Sequence, residues 1–193
     1  MGLKRVSAVG VFSLLLVWLS AAGSGWAEER NQTFPSFGSG AVEVRLYTDY
    51  FCPPCRAMEP GVEPILKDLL KKNAIRLTLA DVPLSRLTPL FARNFLYALR
   101  ENNGAEHALL VRSILMEAST NKEIATQERI EALFKGKGIA FVVWDPKFAF
   151  DRYNKLLQED KINATPTCVI IKNGQKKAFV GADDIINALK ALQ

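Results

Sequence analysis

Histidine is almost absent from this sequence, which has one, and cysteine is scarce, with three among 193 residues. Three cysteines cannot all pair with one another, so a disulfide scaffold is excluded as the basis of the fold. A structural zinc site needs four ligands, usually delivered as two close pairs. Beyond Cys52 and Cys55 the chain offers only Cys168 and His107, each far along the sequence. Arg56 stands where covalent haem attachment would need a histidine. No methionine or histidine cluster near the pair suits copper delivery. A metal or organic cofactor is therefore not expected. Excess charge is also missing: 25 Lys plus Arg face 20 Asp plus Glu, a net +5 to which Lys4 and Arg5 of the first segment contribute two. That is too mild to argue for nucleic acid. Internal repeats and low-complexity segments are absent.

What is present suits one globular domain with a substantial core, since 49% of the residues are hydrophobic by type. The first residues are a separate matter. Lys4 and Arg5 precede an apolar run from Val6 to Leu19, and Gly25-Trp26-Ala27 has the small-x-small form of a signal peptidase site. Export with cleavage after Ala27 is expected, making residues 1–27 a signal peptide. An uncleaved anchor is the alternative, because Val6 to Gly23 approaches the length that crosses a bilayer. Either places the domain outside the cytoplasm. Residues 28–40 (EERNQTFPSFGSG) are polar and turn-rich and predict a flexible lead-in, with order from Ala41.

From there the pattern is informative. VEVRLY (Val42 to Tyr47) predicts a strand, RAMEPGVEPILKDLLKK a helix kinked or interrupted near its start by Pro60 and Pro64, and IRLTLA (Ile75 to Ala80) a second strand. Residues 88 to about 138 read as helices throughout: one beginning at a Thr88-Pro89 cap, one over AEHALLVRSILMEA, and one capped by Thr126 and closed by glycines. Asp145-Pro146 predicts a further helix to Glu159, while Phe141 to Trp144 is ambiguous. TCVII (Thr167 to Ile171), Asn173-Gly174 and KKAFV predict a hairpin, and ADDIINALKAL a last amphipathic helix. The order is βαβ, helical block, ββα.

The two cysteines fall at the first strand-to-helix turn, in YTDYFCPPCRAMEP. A cysteine at a helix N-terminus meets unsatisfied N–H groups and the positive end of the helix dipole, both of which favour thiolate. Cys52 is the expected nucleophile and the more exposed member. Cys55, one turn along, can displace a mixed disulfide by attacking Cys52. Pro53 and Pro54 carry no N–H, so two donors that might have reached the Cys52 sulfur are missing. That predicts a couple nearer the reducing end of a range of about −270 to −120 mV.

Strand, CxxC, kinked helix, strand, then Thr-Pro before a hairpin and a final helix resembles the thioredoxin pattern over nearly all of the chain past residue 40. Pro60, five residues beyond Cys55, matches the kink proline of thioredoxins. The interposed helical block, about 88–140, and the YTDYFCPPC stretch resemble the DsbA-like branch of exported thiol:disulfide oxidoreductases. The resemblance implies an α/β thioredoxin fold with a helical insertion, spanning 41–193. It implies a cis-proline at Pro166, with Thr165 and Pro166 as the substrate-docking loop. Expected partners are cysteine-containing exported proteins and a membrane or soluble redox partner that recycles the dithiol. A dedicated reductant, for instance in cytochrome c maturation, or an isomerase is the alternative within the same chemistry. Outside it, the rival is a non-catalytic binding module with a permanent Cys52–Cys55 bond.

One departure stands out. Leu46 occupies the place, six residues before the first cysteine, where many such enzymes carry a buried carboxylate. Asp49, closer to the pair, reads as a turn cap, which leaves proton transfer to water. Glu43 and Arg45 sit on one face of a strand that a parallel sheet would bury, and either pair there or meet solvent. Cys168 reads as a small buried thiol, His107 as a boundary residue, and Phe91, Phe95 and Tyr97 as core.

Overall fold

The computed structural model describes residues 1–2 and 33–193, so the segment expected to direct export lies outside the described residues. From Thr33 onward five strands form one sheet: β1 Ser36–Phe37, β2 Val42–Thr48, β3 Ile75–Asp81, β4 Thr167–Lys172 and β5 Gln175–Val180. Their spatial order is β1-β3-β2-β4-β5. β2 and β3 run parallel, joined through helix α1 (Pro53–Lys71), and every other pairing is antiparallel. This is the thioredoxin fold, mixed α/β, with the helices α2 (Thr88–Glu101), α3 (Ala105–Ala118) and α4 (Gln127–Lys137) inserted between its halves. Helix α5 (Lys147–Glu159) follows the insertion and α6 (Ala182–Lys190) closes the chain.

Alternation along β2 divides the interior. Val44 and Leu46 point to the face covered by α1, α6 and the insertion, where most of the core lies. Tyr47 points to the other face, joining Ala80, Val82 and Val169 beneath Tyr153 and Leu156 of α5. Arg45 shares that second face and resolves the tension left by the sequence. It bonds Glu43 through Nε at 2.6 Å and bridges Asp160, at the end of α5, at 3.1 Å, with Tyr47 Oη donating to Asp160 at 2.5 Å. Arg76 reaches Glu43 from β3 at 2.6 Å, and Lys176 reaches Asp160 from β5. Charges therefore gather at the edge of this face, at the C-terminal end of α5.

Three expectations are corrected. Order begins before Ala41, because Ser36 and Phe37 pair with Thr78 and Leu77 and bury Phe37. Gly40 lets this lead-in cross the sheet closely, since a Cβ there would meet the Ala74 carbonyl carbon and the Ile75 nitrogen at 2.2 Å. Of the two effects expected of Pro60 and Pro64, a kink or a break, the break is excluded, because α1 is one element of 19 residues. Helix α2 is capped at Leu87, not Thr88, whose hydroxyl is held instead by Asp49. Elsewhere the pattern and the fold agree. Thr126 Oγ1 accepts from Arg129 N at 3.4 Å and Gly138 closes α4 in the left-handed region. Asn173 and Gly174, at φ 52° and 75°, make the tight turn of the hairpin. Phe141 to Trp144 is neither helix nor strand.

Candidate active site

The chain leaves β2 at Thr48 and enters α1 at Pro53, so four residues must turn a buried strand into a helix start. Asp49 organises that turn. Its carboxylate is fully buried and accepts from Phe51 N at 2.6 Å, from Leu84 N at 3.1 Å and from the Thr88 hydroxyl, while its carbonyl accepts from Cys52 N at 3.2 Å. The residue thus ties the cysteine loop to the segment that opens the insertion. Phe91 of α2 packs edge-on against Phe51, with ring centroids 4.9 Å apart, and lies 5.7 Å from the ring of Tyr50. Phe91, Phe95 and Tyr97 are all buried.

Cys52 is the N-cap of α1, and its sulfur accepts from Cys55 N at 3.3 Å. Pro53 and Pro54 fill the first helical positions and are exposed, so the Cys55 amide is the first in the helix free to reach that sulfur. The two Sγ atoms lie 2.6 Å apart. Cys52 is 8% exposed and Cys55 is 0% exposed, so the outer sulfur is the one a partner can approach. Burial, then the bond to Cys52, pushes the Cys55 thiol up to about 12.

The hairpin half supplies the opposite wall. Cys52 Sγ lies 3.6 Å from the Thr165 carbonyl, and the Thr165–Pro166 peptide bond is cis. The Thr165 side chain is also close enough to Cys55 to favour its thiolate, against the effect of burial, and the Pro166 carbonyl accepts from Gly181 N at 3.0 Å. Cys52, Cys55, Thr165 and Pro166, distant in sequence, therefore meet at one point. Cys168 does not join them: it pairs across the sheet with Leu46 and Phe179, is fully buried, and burial pushes its thiol up to about 12. His107 lies at the boundary, with burial holding it below the ordinary imidazole range.

Sequence reasoning missed the charges beneath the dithiol. Arg112 of α3 is buried and forms a two-pronged ion pair with Glu59 of α1 at 2.7 and 2.9 Å, and its third arm reaches Thr48 Oγ1 at 2.9 Å. Asp81, the last residue of β3, is buried beside this pair and accepts from Tyr50 Oη at 3.1 Å. Burial pushes Asp81 up to about 7, against the pull of Arg112. A lone arginine within the apolar run ALLVRSILM was the available signal.

Residues 38–190 match the family described as Thioredoxin. The thiol:disulfide interchange protein DsbA of Pseudomonas aeruginosa is 27% identical over 168 residues, which cover 80% of this chain and 74% of that protein. Among solved structures, a periplasmic thioredoxin-like protein from Salmonella enterica serovar Typhimurium superimposes with a TM-score of 0.61 at 21% identity, covering 82% of this chain and 89% of that one. Proteus mirabilis ScsC gives 0.62 at 21% identity, covering 82% and 69%.

Proposed function

Because the chain belongs to the thioredoxin family, we propose that it is an exported, DsbA-like thiol:disulfide oxidoreductase acting on cysteine-containing envelope proteins. The observation that carries this is the sulfur geometry: Cys52 Sγ lies 2.6 Å from Cys55 Sγ and 3.6 Å from the Thr165 carbonyl. Its similarity to a thiol:disulfide interchange protein and to a periplasmic thioredoxin-like protein supports the chemistry and the compartment.

In the reducing direction the Cys52 thiolate attacks one sulfur of a client disulfide. The client S–S bond breaks, a Cys52–client bond forms, and one client thiolate leaves. Cys55 then gives up its proton and attacks Cys52 Sγ, closing the Cys52–Cys55 disulfide and releasing the second client thiolate. Oxidation of a client is the same sequence reversed. Both electrons travel on the sulfur pair, so the step needs no metal or organic cofactor. Asp49 is engaged by three donors, which leaves the Cys55 proton to solvent. Thr165 and Pro166 hold the client strand against Cys52, and Pro53 and Pro54 restrict the donors at its sulfur. Residues 1–27 direct export, and a membrane or soluble partner restores the pair after turnover.

Titration of the intact protein against a glutathione redox series tests this. The expected result is a reversible two-electron couple, with turnover of insulin lost in Cys52→Ser and mixed disulfides accumulating in Cys55→Ser. A potential below about −300 mV, or a Cys52→Ser protein that still turns over, would make the pair an inert bond and the chain a binding module.

A further inference from the structure

We propose that Arg112, carried by the helical insertion, is a positioning residue that sets the redox poise of the Cys52–Cys55 couple by balancing the buried carboxylates beneath it. The inference rests on the dithiol reading above. Arg112 is 1% exposed and turns its guanidinium toward two elements at once. Nε and Nη2 take both oxygens of Glu59 at 2.7 and 2.9 Å, and Nη1 takes Thr48 Oγ1 at 2.9 Å. Glu59 lies on α1 one turn past Cys55, and Thr48 ends β2 four residues before Cys52. A single cation therefore clasps both segments that carry the cysteines, from an element that belongs to neither half of the basic fold.

Its charge reaches further than its hydrogen bonds. Asp81 feels attraction from Arg112 and repulsion from Asp49 and Glu59, so one guanidinium answers several buried carboxylates. Asp81 in turn holds Tyr50 Oη at 3.1 Å, and the Tyr50 carbonyl accepts from Ser119 of the insertion and from Arg56. The reduced couple can carry a thiolate, the species that exchanges, whereas the disulfide carries no charge. A neighbouring cation thus favours the dithiol state and a neighbouring carboxylate opposes it, most strongly where water is excluded.

The signs separate this role from plain bracing. Glu59→Gln removes a negative charge and keeps the arginine, so the equilibrium constant against glutathione should move about tenfold toward the dithiol, ~30 mV. Arg112→Met should move it by a similar factor the other way, the double variant should return to near the wild-type value, and Arg112→Lys, which keeps the charge but not the fork, should stay near wild type. Bracing alone would lower stability in the variants and leave the potential unmoved. Should Arg112→Met not fold, Glu59→Gln and Arg112→Lys still decide. A normal wild-type couple with an unshifted Glu59→Gln, or with both single variants moving the same way, would overturn this inference alone. Absence of any exchangeable wild-type couple would overturn the functional reading with it.

Discussion

Arg112 and Arg45 answer carboxylates from opposite faces of β2, but water reaches them unequally. The Arg112 side chain is 2% exposed and its partner Glu59 is 7% exposed. Arg45 is 13% exposed, and the cations that complete its network, Arg76 and Lys176, are 52% and 43% exposed. Beneath the dithiol, then, charges are sealed between α1, α3 and the strand ends, whereas at the end of α5 a buried Asp160 is answered in part by cations that reach water. The lesson is that ion pairs of like chemistry do unequal things. A sealed pair punishes the loss of either partner, because the survivor is left buried and uncompensated. A pair whose cation is exposed is partly replaced by water and is worth less.

The sealed side should show the largest pH response. With Cys55 pushed up to about 12, its thiolate fraction is small at neutrality and grows with every pH unit. Resolution of a Cys52–glutathione mixed disulfide should accelerate about tenfold per unit between roughly pH 6 and 9. Stopped-flow release of glutathione measures this, and a flat profile would mean a nearby group takes the proton.

Breaking the sealed pair comes next. Arg112→Met should lower unfolding free energy by about 3–5 kcal/mol, read by urea denaturation, and a cost below about 1 kcal/mol would erase the contrast between the faces. Asp81→Asn sharpens it through the opposite sign. Asp81 is raised from 3.8 to about 7, so the folded protein retains a proton that the unfolded chain loses across that window, and stability falls as pH rises through it. Above about 7 the buried charge bears its full penalty. Asp81→Asn should therefore be more stable than wild type by about 2–4 kcal/mol at pH 8, at ~1.4 kcal/mol per unit, and the gain should vanish by about pH 4.

The marginal network should respond least. Arg45→Met should cost less than Arg112→Met, because Lys176 and Tyr47 still answer Asp160, with the glutathione equilibrium unchanged. Asp160 is pushed up by burial, but bonds from Lys176, Tyr47 and Arg45 outweigh this and hold it below the ordinary carboxylate range. Its stabilisation is present above that range and lost as pH falls through the lowered value. Asp160→Asn should therefore lose less stability than wild type on acidification, as thermal melts at stepped pH would reveal.

Much of this arrangement was legible in the sequence. Period-two runs marked β2, β3 and the hairpin, helical spacing and breakers marked the insertion, and Asn173-Gly174 fixed the turn. The place of the cysteine pair at the strand-to-helix turn was legible from local pattern, whereas Thr165-Pro166 was singled out only by the thioredoxin resemblance, since nothing local brings it to within 3.6 Å of Cys52. What escaped depends on contacts between distant elements. Ser36–Phe37 is too short to show a period and is a strand only because β3 offers an edge. Thr88 looked like a cap since nothing local announces that Asp49, 39 residues earlier, claims its hydroxyl. Arg112 and Glu59 are 53 residues apart, and although an arginine inside an apolar run hints at burial, nothing local names its partner.

The hairpin's outer strand has a consequence of its own. β5 ends the sheet with one flank unpaired, yet Gln175, Lys176 and Lys177 are exposed along it, and Lys177 lies over the Phe179 ring at 4.9 Å. Like-charged ammonium groups crowd whenever two such borders approach each other. Neighbouring molecules would thus resist stacking into ribbons through this border.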